Sequence, residues 1–163
     1  MSDIPMITVS QTDRVLNITL NRPDDLNPLC WQVLNELKTV LDGVLKDDTV
    51  GVVVIGAAGK AFSTGYDLRE EHWITSQYPA NFEDHVDIRQ DRDDVHTIVD
   101  YWMKLWRYPK PIIAKVQGDC LSGAGELLGV CDLAIVSERA RFGHPAGRDL
   151  GIPPSIMFWP MLI

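Results

Sequence analysis

Two apolar runs, "VGVVVIG" at residues 50–56 and "PIIAKV" at 111–116, each lead into a glycine-rich stretch, "FSTGYD" and "QGDCLSGAGE". Runs continuous in valine and isoleucine, rather than alternating with polar residues, suit strands covered on both faces. Segments of helical period precede each glycine-rich turn. Val33, Leu34, Leu37, Val40, Leu41, Val44 and Leu45 predict an amphipathic helix over 29–46. Val95, Ile98, Val99, Trp102, Leu105 and Trp106 predict a second over 94–107, with its tryptophans in the core and Pro109 and Pro111 stopping it. Strands alternating with helices and joined by crossovers imply a parallel α/β sheet.

The remaining elements are shorter. "MITVS" and "VLNITLNRP" alternate apolar and polar residues around the turn-forming "QTD", which predicts an opening hairpin. "GELLGVC" reads as a short helix and "LAIVS" as a further strand. A chain of 163 residues with no internal repeat or low-complexity linker is expected to form one domain, 1–163.

The charge balance narrows the partners. A net charge of −8 argues against a nucleic-acid binder, which needs a basic face. No run of eighteen apolar residues is present, so no membrane-spanning helix is expected. The start of the chain lacks the basic and apolar pattern of a signal peptide. Cys30, Cys120 and Cys131 have no metal-ligand spacing, and their odd number fits reduced thiols in the cytoplasm. The acidic run "NFEDHVDIRQDRDD" reads as a solvated helix face rather than a metal site. Lys104, Arg107, Lys110 and Lys115 are candidates for a local basic rim that would meet an anionic cofactor.

Chemistry concentrates at the second glycine turn. It opens directly into a helix, so the N–H groups near Gly123 and Ala124 lie at a positive helix end. Glu126 follows within that first turn. Donors aimed at an oxygen gaining charge, with a carboxylate to move a proton at the adjacent carbon, suit enolate chemistry. Taken alone, Glu126 is better explained by favourable first-turn electrostatics than by catalysis. Gly123-x-Gly125-x-x-x-Gly129 also resembles a loose dinucleotide fingerprint, which would imply an oxidoreductase, but its spacing is off and its helix short. "GAAGK" lacks the spacing of a phosphate loop. Ser122 does not lie in a nucleophile elbow, and His144 before a proline reads as structural.

"NRPDDLNPL", "GKAFSTGYDLRE", "KPIIAKVQGDCLSGAGELLGVCDLAIVSERARFGHP" and "GIPP" follow, in order, the motifs of the enoyl-CoA hydratase/isomerase (crotonase) family, which the chain resembles from about Val15 to Pro154. The resemblance implies a crotonase-like spiral of β-β-α units within the α/β class. It also implies an acyl-CoA thioester substrate, with coenzyme A as part of the substrate and no permanently bound cofactor or metal. Carried onto this chain, the oxyanion hole is the backbone N–H of Tyr66 together with that of Gly123, and Glu126 is the first of the family's two glutamates. Asp25, Leu26, Ala61, Ser63 and Gly65 correspond to the part that lines coenzyme A. The family further implies a homotrimer or hexamer, a cytoplasmic location, a role in fatty acid metabolism, and C-terminal helices that this chain lacks.

The chain departs from the family pattern at three places. Tyr66 stands where alanine is common, which narrows the pocket or adds a phenol to it. Asp24 stands where lysine is frequent. Ala146 occupies the place of the second glutamate, and Asp149, His144, Arg148 and Tyr66 are the candidates to compensate. Losing one of two cooperating acid–base groups costs on the order of 10²–10⁴ in rate, so ordinary crotonyl-CoA hydration is expected to be weak. A catalytically degenerate acyl-CoA-binding or assembly protein is the alternative from another class.

Overall fold

The opening hairpin forms as its alternation predicts, from β1 (Ile7–Thr12) and β2 (Val15–Leu20), paired antiparallel with Thr12 opposite Val15 in the computed structural model. The turn is tighter than the sequence suggests. Gln11 and Thr12 stay in the strand, and Asp13, at φ 51°, makes the reversal. The structure describes residues 5–69, 88–149, 151 and 153–156. The first seven residues of the acidic run, 81–87, and residues 157–163 of the apolar "IMFWPMLI" lie outside them.

Three further strands extend the sheet in parallel. β3 (Val52–Ala57) pairs with β2, β4 (Ile112–Val116) with β3, and β6 (Leu133–Val136) with β4, giving the order β1-β2-β3-β4-β6. Helix α1 (Trp31–Val44) buries Val33, Leu34, Leu37 and Leu41, one stripe along its length. Helix α2 (Ile88–Trp106) starts six residues earlier than the apolar stripe predicts, because its first turns carry charged, exposed side chains such as Arg92 and Asp93. Ile18, Val53, Ile55 and Ala114 of the sheet, Leu34 and Leu37 of α1 and Trp102 of α2 are fully buried together. Two tyrosines fasten the helices: Tyr101 donates to the Leu34 carbonyl at 2.9 Å and Tyr108 to that of Leu41 at 2.6 Å. Trp106 does not join the core; it is 45% exposed at the end of its helix.

A second layer, which the local patterns did not predict, lies inside the glycine-rich stretches. β5 (Asp119–Leu121) pairs in parallel with β7 (Arg141–Gly143), and Ser63 bridges Cys120 on its other side. Leu29 in turn bridges Tyr66. The second layer therefore runs Leu29, Ser63–Tyr66, β5, β7, in the same sequence order as β2, β3, β4 and β6 in the first. Each unit adds one strand to each layer and then a helix: α1, α2, α3 (Gly123–Gly129) and the short α4 (Pro145–Asp149). This is the expected repetition of β-β-α units. β6, read from the sequence as a further strand, is exposed: Leu133 and Ile135 are 63% and 64% accessible.

Candidate active site

Tyr66 and Gly123, 57 positions apart, meet because the second layer sets their segments side by side. Ser63 N–H donates to the Asp119 carbonyl and Leu121 N–H to that of Ser63, both at 3.0 Å. Two residues on, Gly65 takes φ +97°, and a Cβ there would lie 2.7 Å from the Leu121 carbonyl oxygen and 3.0 Å from Gly123 N. Only glycine permits that approach. Gly65 also receives its own Ser63 hydroxyl, as acceptor for the Gly65 N–H at 3.1 Å.

The direction of each N–H follows from the bonds around it. The Gly65 carbonyl accepts from Leu29 N–H at 2.7 Å, and Asp67 N–H donates to the Leu29 carbonyl at 2.8 Å. Carbonyl and N–H of one trans peptide point in opposite directions, so the Tyr66 N–H faces away from Leu29. Likewise the Ser122 carbonyl accepts from Gly125 N–H at 2.8 Å within α3, which turns the Gly123 N–H outward. Ser122 holds this turn at φ 49° and ψ −122°, a conformation costly for an L side chain and found where a site is being shaped. Neither the Tyr66 N–H nor the Gly123 N–H has an acceptor among the described residues. Buried N–H groups without a partner are rare in folded proteins.

The side chain of Tyr66 lies against Gly123. A Cβ on Gly123 would come within 2.8 Å of its ring carbons Cε2 and Cζ, so the bare glycine is what lets the ring lie there. The phenol hydroxyl donates to Glu126 Oε2 and accepts from Trp102 Nε1–H at 2.9 Å. Ser155 completes the surroundings of the carboxylate, its N–H on Oε1 at 2.6 Å and its hydroxyl on Oε2 at 2.7 Å. Glu126 is 4% exposed. Burial, and next the negative charge of Glu126, hold the Tyr66 phenol well above its ordinary value of 10.0, so it remains a proton donor at neutral pH.

The remaining predicted residues fall into two groups. Ala61, Ser63 and Gly65 are buried in the loop that follows β3, and Leu26 reaches that loop by accepting from Thr64 N–H at 3.2 Å. Asp25 is exposed on its rim. Asp149, by contrast, is exposed in α4 and ion-paired with Arg148 at 2.6 Å; its contacts among the described residues do not include Glu126. Ala146 offers only a methyl group. Of the expected basic rim, Lys104, Arg107 and Lys115 are exposed, whereas Lys110 is spent on the carbonyls of Asp47 and Val50.

Several positioning groups have no local signal in the sequence. Asp67, 3% exposed, is held by Arg22 at 3.0 Å and by a two-pronged contact from Arg69 at 2.7 and 2.9 Å, while Asp25 joins both arginines. Asn27 clamps the loop from the other side: its Oδ1 accepts from Arg22 N–H at 2.8 Å, and its Nδ2 donates to the Ala58 and Ala61 carbonyls at 2.8 and 3.0 Å. Arg22, Asn27, Asp67 and Arg69 fall within the quoted family motifs; Ser155 and Trp102 as contacts of Glu126 and Tyr66 carried no sequence signal.

The family profile described as "Enoyl-CoA hydratase/isomerase" matches residues 10–163. The chain belongs to the enoyl-CoA hydratase/isomerase family. Among this family's members it is 34% identical over 148 residues to the 2,3-dehydroadipyl-CoA hydratase of Escherichia coli, covering 91% of this chain and 52% of that one. It is 32% identical to the hydroxycinnamoyl-CoA hydratase-lyase of Pseudomonas fluorescens, over 91% of this chain and 51% of the relative. The crystal structure of an enoyl-CoA hydratase/isomerase from Xanthobacter autotrophicus superposes with a TM-score of 0.81 at 35% identity, covering 96% of this chain and 54% of that chain. The enoyl-CoA hydratase/isomerase fold is thus shared, and the chain spans about half the length of the curated relatives it matches.

Proposed function

We propose that this protein processes acyl-CoA thioesters through an enolate. In this reading the thioester oxygen sits between the N–H groups of Tyr66 and Gly123, and Glu126 moves a proton at the adjacent carbon. The observation that supports the reading is that, among the described residues, the N–H groups of Tyr66 and Gly123 have no acceptor, with a buried carboxylate one helical turn beyond Gly123. As the adjacent carbon loses its proton, charge builds on the thioester oxygen, and fixed donors stabilise it without reorganising. Each such donor is worth on the order of 10²–10³ in rate. Glu126 is held by Ser155 and Tyr66, so it meets the substrate in one orientation.

Coenzyme A enters as part of the substrate, along the Asp25–Leu26 and Ala61–Gly65 segments, and no permanent cofactor takes part. We place the activity in the cytoplasm, and the assembly is a homotrimer or hexamer. The exposed apolar Leu133, Ile135 and Val136 support an assembled state, being costly to leave in water. No helix among the described residues is long and apolar enough to cross a membrane.

Calorimetric titration with a short acyl-CoA tests the reading, with binding expected for wild type and turnover abolished in Glu126→Gln. No binding by correctly folded protein sinks it. Tight binding without reaction in hydratase, isomerase, hydrolase and decarboxylase assays points instead to a catalytically degenerate acyl-CoA carrier.

A further inference from the structure

The hydrogen bonds of Glu126 raise a question of proton supply. Every partner of its carboxylate among the described residues is a donor: the Tyr66 hydroxyl, the Ser155 hydroxyl and the Ser155 N–H. The carboxylate is therefore the acceptor in each of these contacts, and among the described residues no second carboxyl stands beside it to share the work. Ala146 supplies none, and Asp149 is turned to Arg148.

We propose that Tyr66 is the second proton-transfer group of the site, its phenol paired directly with the Glu126 carboxylate. This rests on the acyl-CoA reading above and deepens it to a reaction class: reversible syn elimination of water from a 3-hydroxyacyl thioester. Glu126 takes the proton from the carbon next to the thioester carbonyl, and the electron pair moves onto the oxygen between the two N–H groups. As the enolate collapses, the bond from the next carbon to its hydroxyl breaks. The leaving oxygen takes the Tyr66 proton and departs as water. Glu126 then returns its proton to the phenolate, and both groups are restored. Hydration is the same sequence reversed.

Three features favour Tyr66 for this role. Its oxygen touches the carboxylate, so the two groups stand on one face, as syn chemistry on adjacent carbons requires. Trp102 Nε1–H points at that oxygen from 2.9 Å and stabilises the transient phenolate. Burial and the charge of Glu126 keep the phenol protonated between turnovers. Ser155, the other hydroxyl in contact, has at its oxygen, among the described residues, only the longer 3.5 Å contact with the Tyr66 hydroxyl besides Glu126.

The test compares two reactions of the full-length protein. One is hydration of crotonyl-CoA, which needs both groups. The other is deuterium exchange at the carbon next to the thioester of butyryl-CoA, which needs only Glu126 and the two N–H donors. Tyr66→Phe keeps the ring over Gly123. It is expected to slow hydration on the order of 10²–10⁴-fold and exchange by less than about tenfold. Trp102→Phe, as a second variant, is expected to slow hydration selectively in the same way, by about tenfold. Glu126→Gln abolishes both reactions. Hydration by Tyr66→Phe near the wild-type rate overturns the proposal, and so does an equal loss of both reactions, which would make the phenol merely a prop for Glu126. Wild-type exchange without hydration also overturns it while leaving the enolate reading standing, whereas absence of both wild-type reactions brings down the two together.

Discussion

Replacing Gly65 by alanine tests the close approach on which the site is built. The added methyl would stand 2.7 Å from the Leu121 carbonyl oxygen, 2.8 Å from Ser122 Cβ and 3.0 Å from Gly123 N. Two of those three atoms are backbone, and Ser122 is itself held at φ 49°, so none can swing aside as a flexible side-chain end would. Overpacking of this kind costs about 1–3 kcal/mol. The φ of +97° adds about 1–3 kcal/mol for any residue with a Cβ. Against this, alanine lowers the entropy of the unfolded chain, worth about 0.4–1 kcal/mol. The net loss is about 1–5.5 kcal/mol. With a urea m-value of about 2 kcal/mol/M, the unfolding midpoint should fall by about 0.5–2.8 M. Gly43→Ala on the exposed side of α1, where an added methyl meets nothing within 4 Å, serves as the control. It should raise stability by about 0.5–1 kcal/mol. A Gly65→Ala midpoint within about 0.3 M of wild type would refute the packing argument.

Two more tests address the surroundings of the site. Asp67→Asn removes the charge that Arg22 and Arg69 share and should destabilise the fold by about 2–4 kcal/mol, the lower end reflecting the water-facing side of Arg69; thermal unfolding reads it directly. Burial pushes the Cys120 thiol from 9.0 up to about 12, and burial followed by the charges of Asp132 and Cys120 does the same for Cys131. Both are acids with a folded value above the unfolded one, so their stabilisation is complete below pH 9.0 and is lost as pH rises toward 12. Urea midpoints should therefore decline through that window, and less steeply in a Cys120→Ala, Cys131→Ala double variant.

Much of the first layer was legible because its signals are local. The stripe from Val33 to Leu41 and the apolar runs of β3 and β4 each specify an element without reference to the rest of the chain. β5 and β7 were not legible. Each is three residues long, too short for a period, and exists only because a distant segment pairs with it. β6 was legible as a strand, but its exposure depends on what packs beside it rather than on its own residues. Gly123 and Glu126 could be picked out by spacing within one helical turn, whereas Tyr66 N–H was reached only through the family motifs. The contacts of the Tyr66 phenol span 36 residues to Trp102 and 60 to Glu126, and Ser155 reaches Glu126 across 29. No local pattern encodes separations of that kind.

The bridge between Ser63 and Cys120 fixes more than a contact. Successive peptides along an extended segment present N–H and carbonyl to alternate sides, so the pairing sets a phase. Sliding the 63–66 segment by one residue past β5 would turn carbonyls to where the Tyr66 N–H now points. The polarity offered to a bound oxygen is therefore stored in the alignment of two short segments, and a side chain at position 66 can change from small to large without rewriting it. Loop variation can alter what else enters the site, while alignment alone decides whether it welcomes a negative charge.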